Sequence, residues 1–97
     1  MAEEQKIEQK FKEQAELRGW KALKLSCPGF NGMPDRLILK DNGQVFFAEM
    51  KAPGELLRPI QIARTAMLRR MGFRVYVIDE MIKVFKVLEA EERISGV

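Results

Sequence analysis

Asp41-Asn42-Gly43 stands between two apolar runs, Leu37-Ile38-Leu39 and Val45-Phe46-Phe47-Ala48. Asn-Gly favours the left-handed backbone that reverses a chain tightly, so this spacing predicts a β-hairpin of Arg36–Lys40 with Gln44–Lys51. A two-stranded hairpin is marginal alone and needs further layers. Pro53-Gly54 breaks the second strand, Pro59 suits the first turn of a helix, and Gly72 ends that helix. Its expected inward stripe is Ile60, Ala63, Met67 and Met71. Phe73–Asp79 follows as a strand, and its unbroken Val75–Ile78 centre suits a parallel pair covered on both faces. Strand, helix and strand in that order imply a right-handed crossover.

Upstream, residues 3–18 read as a helix with Ile7, Phe11, Ala15 and Leu17 or Arg18 on or near one face, stopped by Gly19. Lys21–Cys27 alternates as a half-buried strand, and Pro28–Pro34 is a loop with two prolines and two glycines. A last helix is expected over Glu80–Glu92, with Met81, Val84, Phe85 and Leu88 on one side. The order α-β-β-β-α-β-α describes one α/β domain over residues 1–97, a mixed sheet flanked by helices.

The chain is long enough for one core with little stability to spare, so oligomerisation is expected. No apolar run approaches the length needed to span a bilayer, and the polar, acidic start Met1-Ala2-Glu3-Glu4-Gln5 is unlike a secretory signal. Cys27 is the single cysteine, which suits a reducing cytoplasm. There is no histidine. That excludes Ser-His-Asp and Cys-His triads, histidine-ligated metals and structural zinc, and leaves only a hard cation held by oxygen. Net charge is −2 over residues 1–17 and again over 75–97, but +7 over 18–74, where eleven bases face Asp35, Asp41, Glu49 and Glu55. A basic middle between acidic ends suits either a polyanion such as nucleic acid or a merely solvated surface.

The hairpin places three ionisable groups together. Side chains in a strand repeat every two residues, so Glu49 and Lys51 share a face. Asp35, about seven residues before the turn, lies level with them. Two carboxylates buried together are costly unless a cation neutralises them. Mg²⁺ would do so, polarise a phosphate and lower the pKa of a bound water. A lysine alongside could orient that water or stabilise charge on phosphorus. The plain alternative is an ion pair at a strand end.

Three segments in order bear on that choice: Gly32-Met33-Pro34-Asp35-Arg36-Leu37, Phe47-Ala48-Glu49-Met50-Lys51-Ala52-Pro53-Gly54 and Pro59-Ile60-Gln61. They closely resemble the VRR-NUC family, the virus-type replication-repair nuclease branch of the PD-(D/E)XK superfamily, over roughly residues 8–79. The resemblance implies a restriction-endonuclease-like core and a Mg²⁺- or Mn²⁺-dependent DNA endonuclease. It implies that Asp35 and Glu49 ligate metal with the Met50 carbonyl, Met50 standing where the family carries valine or leucine. Lys51 would be the catalytic lysine and Gln61 the helix-borne glutamine beside the site. The family's first-helix glutamate fits Glu8 best, with Glu4 one turn earlier as the alternative.

Arg36, Ser26, Lys24, Arg58 and Arg64 are candidate DNA contacts, and Arg69, Arg70 and Arg74 could add to a backbone-binding patch. Phe30 could stack on a base or pack a loop or subunit interface. Cys27 reads as a packed strand residue, since no histidine exists to activate it. So small a domain suits recognition of DNA shape better than of a long sequence. By family analogy the expectation is a Holliday-junction-resolving homodimer in a bacterial or phage-infected cytoplasm. The alternatives are a flap- or duplex-cutting or restriction-type nuclease, and a non-cutting DNA-binding or assembly module.

Overall fold

The hairpin forms as its turn predicts. In the computed structural model, which describes residues 1–94, β2 (Arg36–Leu39) pairs antiparallel with β3 (Val45–Met50). Asn42 takes the left-handed conformation at φ 58° in a short 3₁₀ turn, Asp41–Gly43, and the Lys40 amide closes the loop onto the Gln44 carbonyl at 2.8 Å. β1 (Lys21–Lys24) adds antiparallel to β2, and β4 (Val75–Ile78) adds parallel to β3. The sheet order is β1-β2-β3-β4. With α1 (Glu3–Leu17), α2 (Pro59–Arg70) and α3 (Met81–Glu92), the element order is the one expected from sequence.

Strand alternation sorts the core into two layers. Ala22, Ile38, Phe46, Ala48, Met50 and Ile78 face α1 and α3, and pack with Ile7, Phe11, Ala15, Trp20, Val84, Val87 and Leu88. Phe46 is the hub, with the rings of Phe11, Trp20 and Tyr76 edge-on to it at centroid distances of 6.3, 6.1 and 5.6 Å. Such edge-to-face pairs each add about 0.5–1.5 kcal/mol beyond the area they bury. The other face carries a smaller cluster, Phe47, Leu68 and Val75, with Leu25, Leu37, Met67 and Phe73 partly buried around it.

Several expectations are corrected. β1 and β4 are shorter than the predicted Lys21–Cys27 and Phe73–Asp79. Leu17 is 73% exposed, beyond the face that Ile7, Phe11 and Ala15 form. α2 buries Gln61, Thr65 and Leu68, whereas Ile60, Ala63 and Met71 face outward. That is a rotation of about one residue, or about 100°, from the predicted stripe. The small apolar cluster needs only one side of α2, and its first turn is drawn by a polar contact from Gln61. α3 buries Val84 and Leu88 as expected, with Phe85 partly buried, but adds Val87 and Glu91 to that face and leaves Met81 exposed. Among the described residues no helix is long and apolar enough to cross a membrane.

A network absent from the sequence reading fastens α3. The Glu91 carboxylate, fully buried, accepts from Arg74 Nε at 2.6 Å, Arg74 Nη2 at 3.0 Å, the Tyr76 hydroxyl at 2.6 Å and Lys40 Nζ at 3.0 Å. Lys40 also donates to the carbonyls of Glu91 and Ile94, closing the end of the helix, and lies 5.0 Å from the centroid of the Trp20 ring. Burial alone would raise the Glu91 carboxyl, but the bonds from Arg74, Tyr76 and Lys40 outweigh it and hold the group below its ordinary value. Arg74 is therefore a structural ion-pair partner rather than part of a backbone-binding patch.

Candidate active site

The ladder brings Asp35 and Glu49 level. Arg36 pairs with Ala48, and one residue further out the Met50 amide donates to Asp35 Oδ2 at 2.9 Å. The Asp35 carbonyl accepts from the Leu25 amide at 2.8 Å, so Asp35 is gripped on both sides. Lys51 lies just past β3, where its amide donates to the Ile78 carbonyl at 3.0 Å and continues the ladder to β4. Glu49 is 3% exposed and Lys51 8%, and alternation puts both on the α2 face.

α2 supplies Gln61 by a local device. Pro59 opens the helix, and Gln61 Oε1 accepts from the Arg58 amide at 2.8 Å, which caps the first turn. That bond fixes the side-chain amide with its NH₂ group aimed inward, where Nε2 donates to Glu49 Oε1 at 3.3 Å. Pro59 and this cap explain why a polar residue occupies the buried face.

Burial, then the Asp35 carboxylate and a hydrogen bond with it, push the Glu49 carboxyl up to about 8, against weaker lowering by Lys51 and Arg58. Two acids crowded this way resist double ionisation and favour a compensating cation. Among the described residues, no group of three or more histidine, cysteine or acidic side chains is arranged to hold a metal. The oxygen donors that the ladder brings level are the carboxylates of Asp35 and Glu49. This all-oxygen set fits Mg²⁺ or Mn²⁺, of which Mg²⁺ usually keeps several waters and takes only one or two protein carboxylates.

The two helix glutamates have different fates. Glu8 Oε1 is 3.1 Å from Arg36 Nη2 and 3.8 Å from Lys24 Nζ. Arg36 itself is buried: alternation turns it toward α1, where Nη1 donates to the Ala22 carbonyl at 3.1 Å. Two of the Arg36 guanidinium nitrogens thus have protein partners, and the third, Nε, is buried without one, so the group is not open to a phosphate. Glu4 feels the charges of the acidic site. Its carboxyl is raised by burial and by the charges of Glu55, Asp35 and Glu8, with Lys51 opposing.

Of the other candidates, Ser26, Lys24 and Arg58 are exposed, and Cys27 is partly buried after β1. Arg64 Nε donates to the Asn31 carbonyl at 2.8 Å, while Arg69 Nη2 donates to the Val75 carbonyl at 2.6 Å. Arg70 is exposed on α2.

No protein-family model matches the chain. A protein of Acyrthosiphon pisum secondary endosymbiont phage 1, provisionally named nuclease p44, is 40% identical over 76 residues, covering 78% of this chain and 82% of its own. A solved structure described as a VRR_NUC domain superposes with a TM-score of 0.86 at 29% identity, covering 92% of this chain and 97% of that one.

Proposed function

This chain belongs to the VRR-NUC family, and on that premise we propose that it is a Mg²⁺- or Mn²⁺-dependent endonuclease that hydrolyses DNA phosphodiesters. The observation that carries this reading is the Asp35–Glu49 pair, held level by the ladder, with Gln61 fixed against Glu49 and Lys51 on the same face. Asp35, Glu49 and the Met50 carbonyl would hold the cation. When bound, it supplies Lewis-acid polarisation of the phosphate and a water of lowered pKa. Gln61 keeps Glu49 oriented through its fixed NH₂ group. Lys51 presents its ammonium to the charge that develops on the phosphoryl oxygens. Arg58, at the mouth of the site, adds positive charge for the incoming strand.

The preferred substrate in this proposal is branched DNA, cut by a homodimer whose two-fold axis sets one site on each of two strands. Its setting is a bacterial or phage-infected cytoplasm, a reading supported by the phage origin of p44. The test is cleavage of labelled four-way, flap and linear duplex DNA side by side, in Mg²⁺ and in Mn²⁺, with Lys51→Ala as control. Paired cuts on the four-way substrate, lost in the variant, are expected. Preference for flap or linear DNA would replace the junction reading. Binding without cutting in either metal would identify a non-cutting module.

Cation binding should also be visible without DNA. The folded Glu49 carboxyl titrates near 8 against an ordinary 4.5, so the metal-free fold loses stability as pH rises between those values. A cation must displace the proton at low pH but not at high pH. The rise in Tm on adding Mg²⁺ should therefore be larger at pH 8.5 than at pH 6. Glu49→Gln should abolish most of that rise in a calorimetric scan. Equal rises at both pH values would argue against Glu49 as a ligand.

A further inference from the structure

Phe30 stands apart from the chain's other aromatic residues. Phe11, Trp20, Phe46 and Phe47 are buried, and Phe73, Tyr76 and Phe85 pack against one of the two cores. Phe30 belongs to neither and is 42% exposed. It is nevertheless held firmly. A Pro28-Gly29 turn, closed by the Phe30 amide on the Cys27 carbonyl at 3.0 Å, displays the ring. Two residues on, Gly32 lies so close to α2 that a Cβ there would fall 2.8 Å from both Ile60 Cγ1 and the Ile60 carbonyl oxygen. Pro34 is buried.

α2 also supplies the ring's partner. The Arg64 guanidinium sits 3.8 Å from the Phe30 centroid, and its Nε donates to the Asn31 carbonyl. Among the described residues, neither Nη atom of Arg64 has a hydrogen-bond partner. The result is a cation resting on an aromatic ring, with one face of the ring occupied and polar nitrogens left for an anion. Arg64 lies one helical turn from Gln61, about 5–6 Å between Cβ atoms. Phe30 lies five residues before Asp35, at most about 18 Å of extended chain. At about 3.4 Å per base step, the stack is within a few nucleotides of the acidic pair.

We propose that the Phe30–Arg64 stack is a platform for a single nucleobase swung out of a DNA helix, with Arg64 taking the adjoining phosphate. Continuous duplex offers no such base, whereas a branch point or frayed end does. The platform therefore selects DNA discontinuities beside the cut. The position relative to the cut rests on the nuclease reading above, while the stacking itself does not.

The experiment uses full-length Lys51→Ala protein and DNA carrying 2-aminopurine at the branch of a four-way junction or flap, with the same strand in linear duplex for comparison. Binding should change the branch-point fluorescence. Adding Phe30→Ala should abolish that change and weaken branched-DNA binding by about 5- to 150-fold, the worth of one base–aromatic stack. Linear duplex should be bound within about two-fold of before. Phe30→Trp, which keeps a π face, should restore both readouts. Phe30→Ala protein that retains the parent's preference for branched over linear DNA would overturn the proposal, as would a loss that Phe30→Trp does not repair. Cleavage by the unsubstituted protein is scored separately. If it cuts no DNA yet the fluorescence depends on Phe30, the nuclease reading falls and the platform stands. If it cuts but Phe30→Ala changes nothing, the reverse holds.

Discussion

Lys51→Ala is expected to cut DNA about 10²- to 10³-fold more slowly in single-turnover assays, the usual cost of losing one preorganised donor to transition-state charge. Lys51 is 8% exposed, and among the described residues no carboxylate lies within ion-pair distance of its ammonium. A nearly buried cation without an acid partner is expensive unless a substrate supplies the counter-charge. The Lys51 amide, by contrast, is structural: it extends the ladder to Ile78 and survives in alanine. The variant should therefore fold, keep most of its DNA affinity and fail in the chemical step. A variant that cuts within ten-fold of the parent would remove Lys51 from the mechanism.

Glu91→Ala should be strongly destabilising. It strips the counter-charge from Lys40, whose side chain is 5% exposed, and from Arg74, at 30%. Breaking a buried ion pair from one side costs about 3–5 kcal/mol. In a domain this small that lowers Tm by on the order of 15–30 °C. Circular dichroism melting would check it, and a fall of only a few degrees would mean that the network is energetically idle. The pH dependence has a definite sign. The folded Glu91 carboxyl sits below its ordinary 4.5, so its contribution is complete above that pH and is lost as pH falls through the folded value. Acid should therefore loosen the α3 end of the fold, and Glu91→Gln should blunt that response.

The hairpin, the element order and the meeting of Asp35 with Glu49 were legible because each follows from local rules. Asn42-Gly43 sets the turn, the turn sets the register, and a period of two sets the face. Gln61 came from the resemblance alone; its local signal, a glutamine three residues after the capping position Arg58, was present but ambiguous. The Arg36–Glu8 pair and the Glu91 network were not legible, because each joins residues far apart in sequence. Residues 36 and 8 are 28 positions apart, and 91 and 40 are 51 apart. The same limit explains the misplaced stripe on α2. Ile60 and Met71 are apolar and at helical spacing, but the sheet face beneath α2 offers little to bury them against.

The ion pairing of the basic middle segment redefines how the protein meets a polyanion. Of its eleven bases, Arg18, Lys24, Arg36, Lys40 and Arg74 already face carboxylates of the two acidic ends. Lys21, Lys51, Arg58, Arg64, Arg69 and Arg70 remain. Counterion release scales with the phosphates neutralised, at about −0.9 in logarithmic slope for each. Six such cations from this segment of one subunit would therefore lose affinity with salt at a slope of about −5, half of what eleven would give.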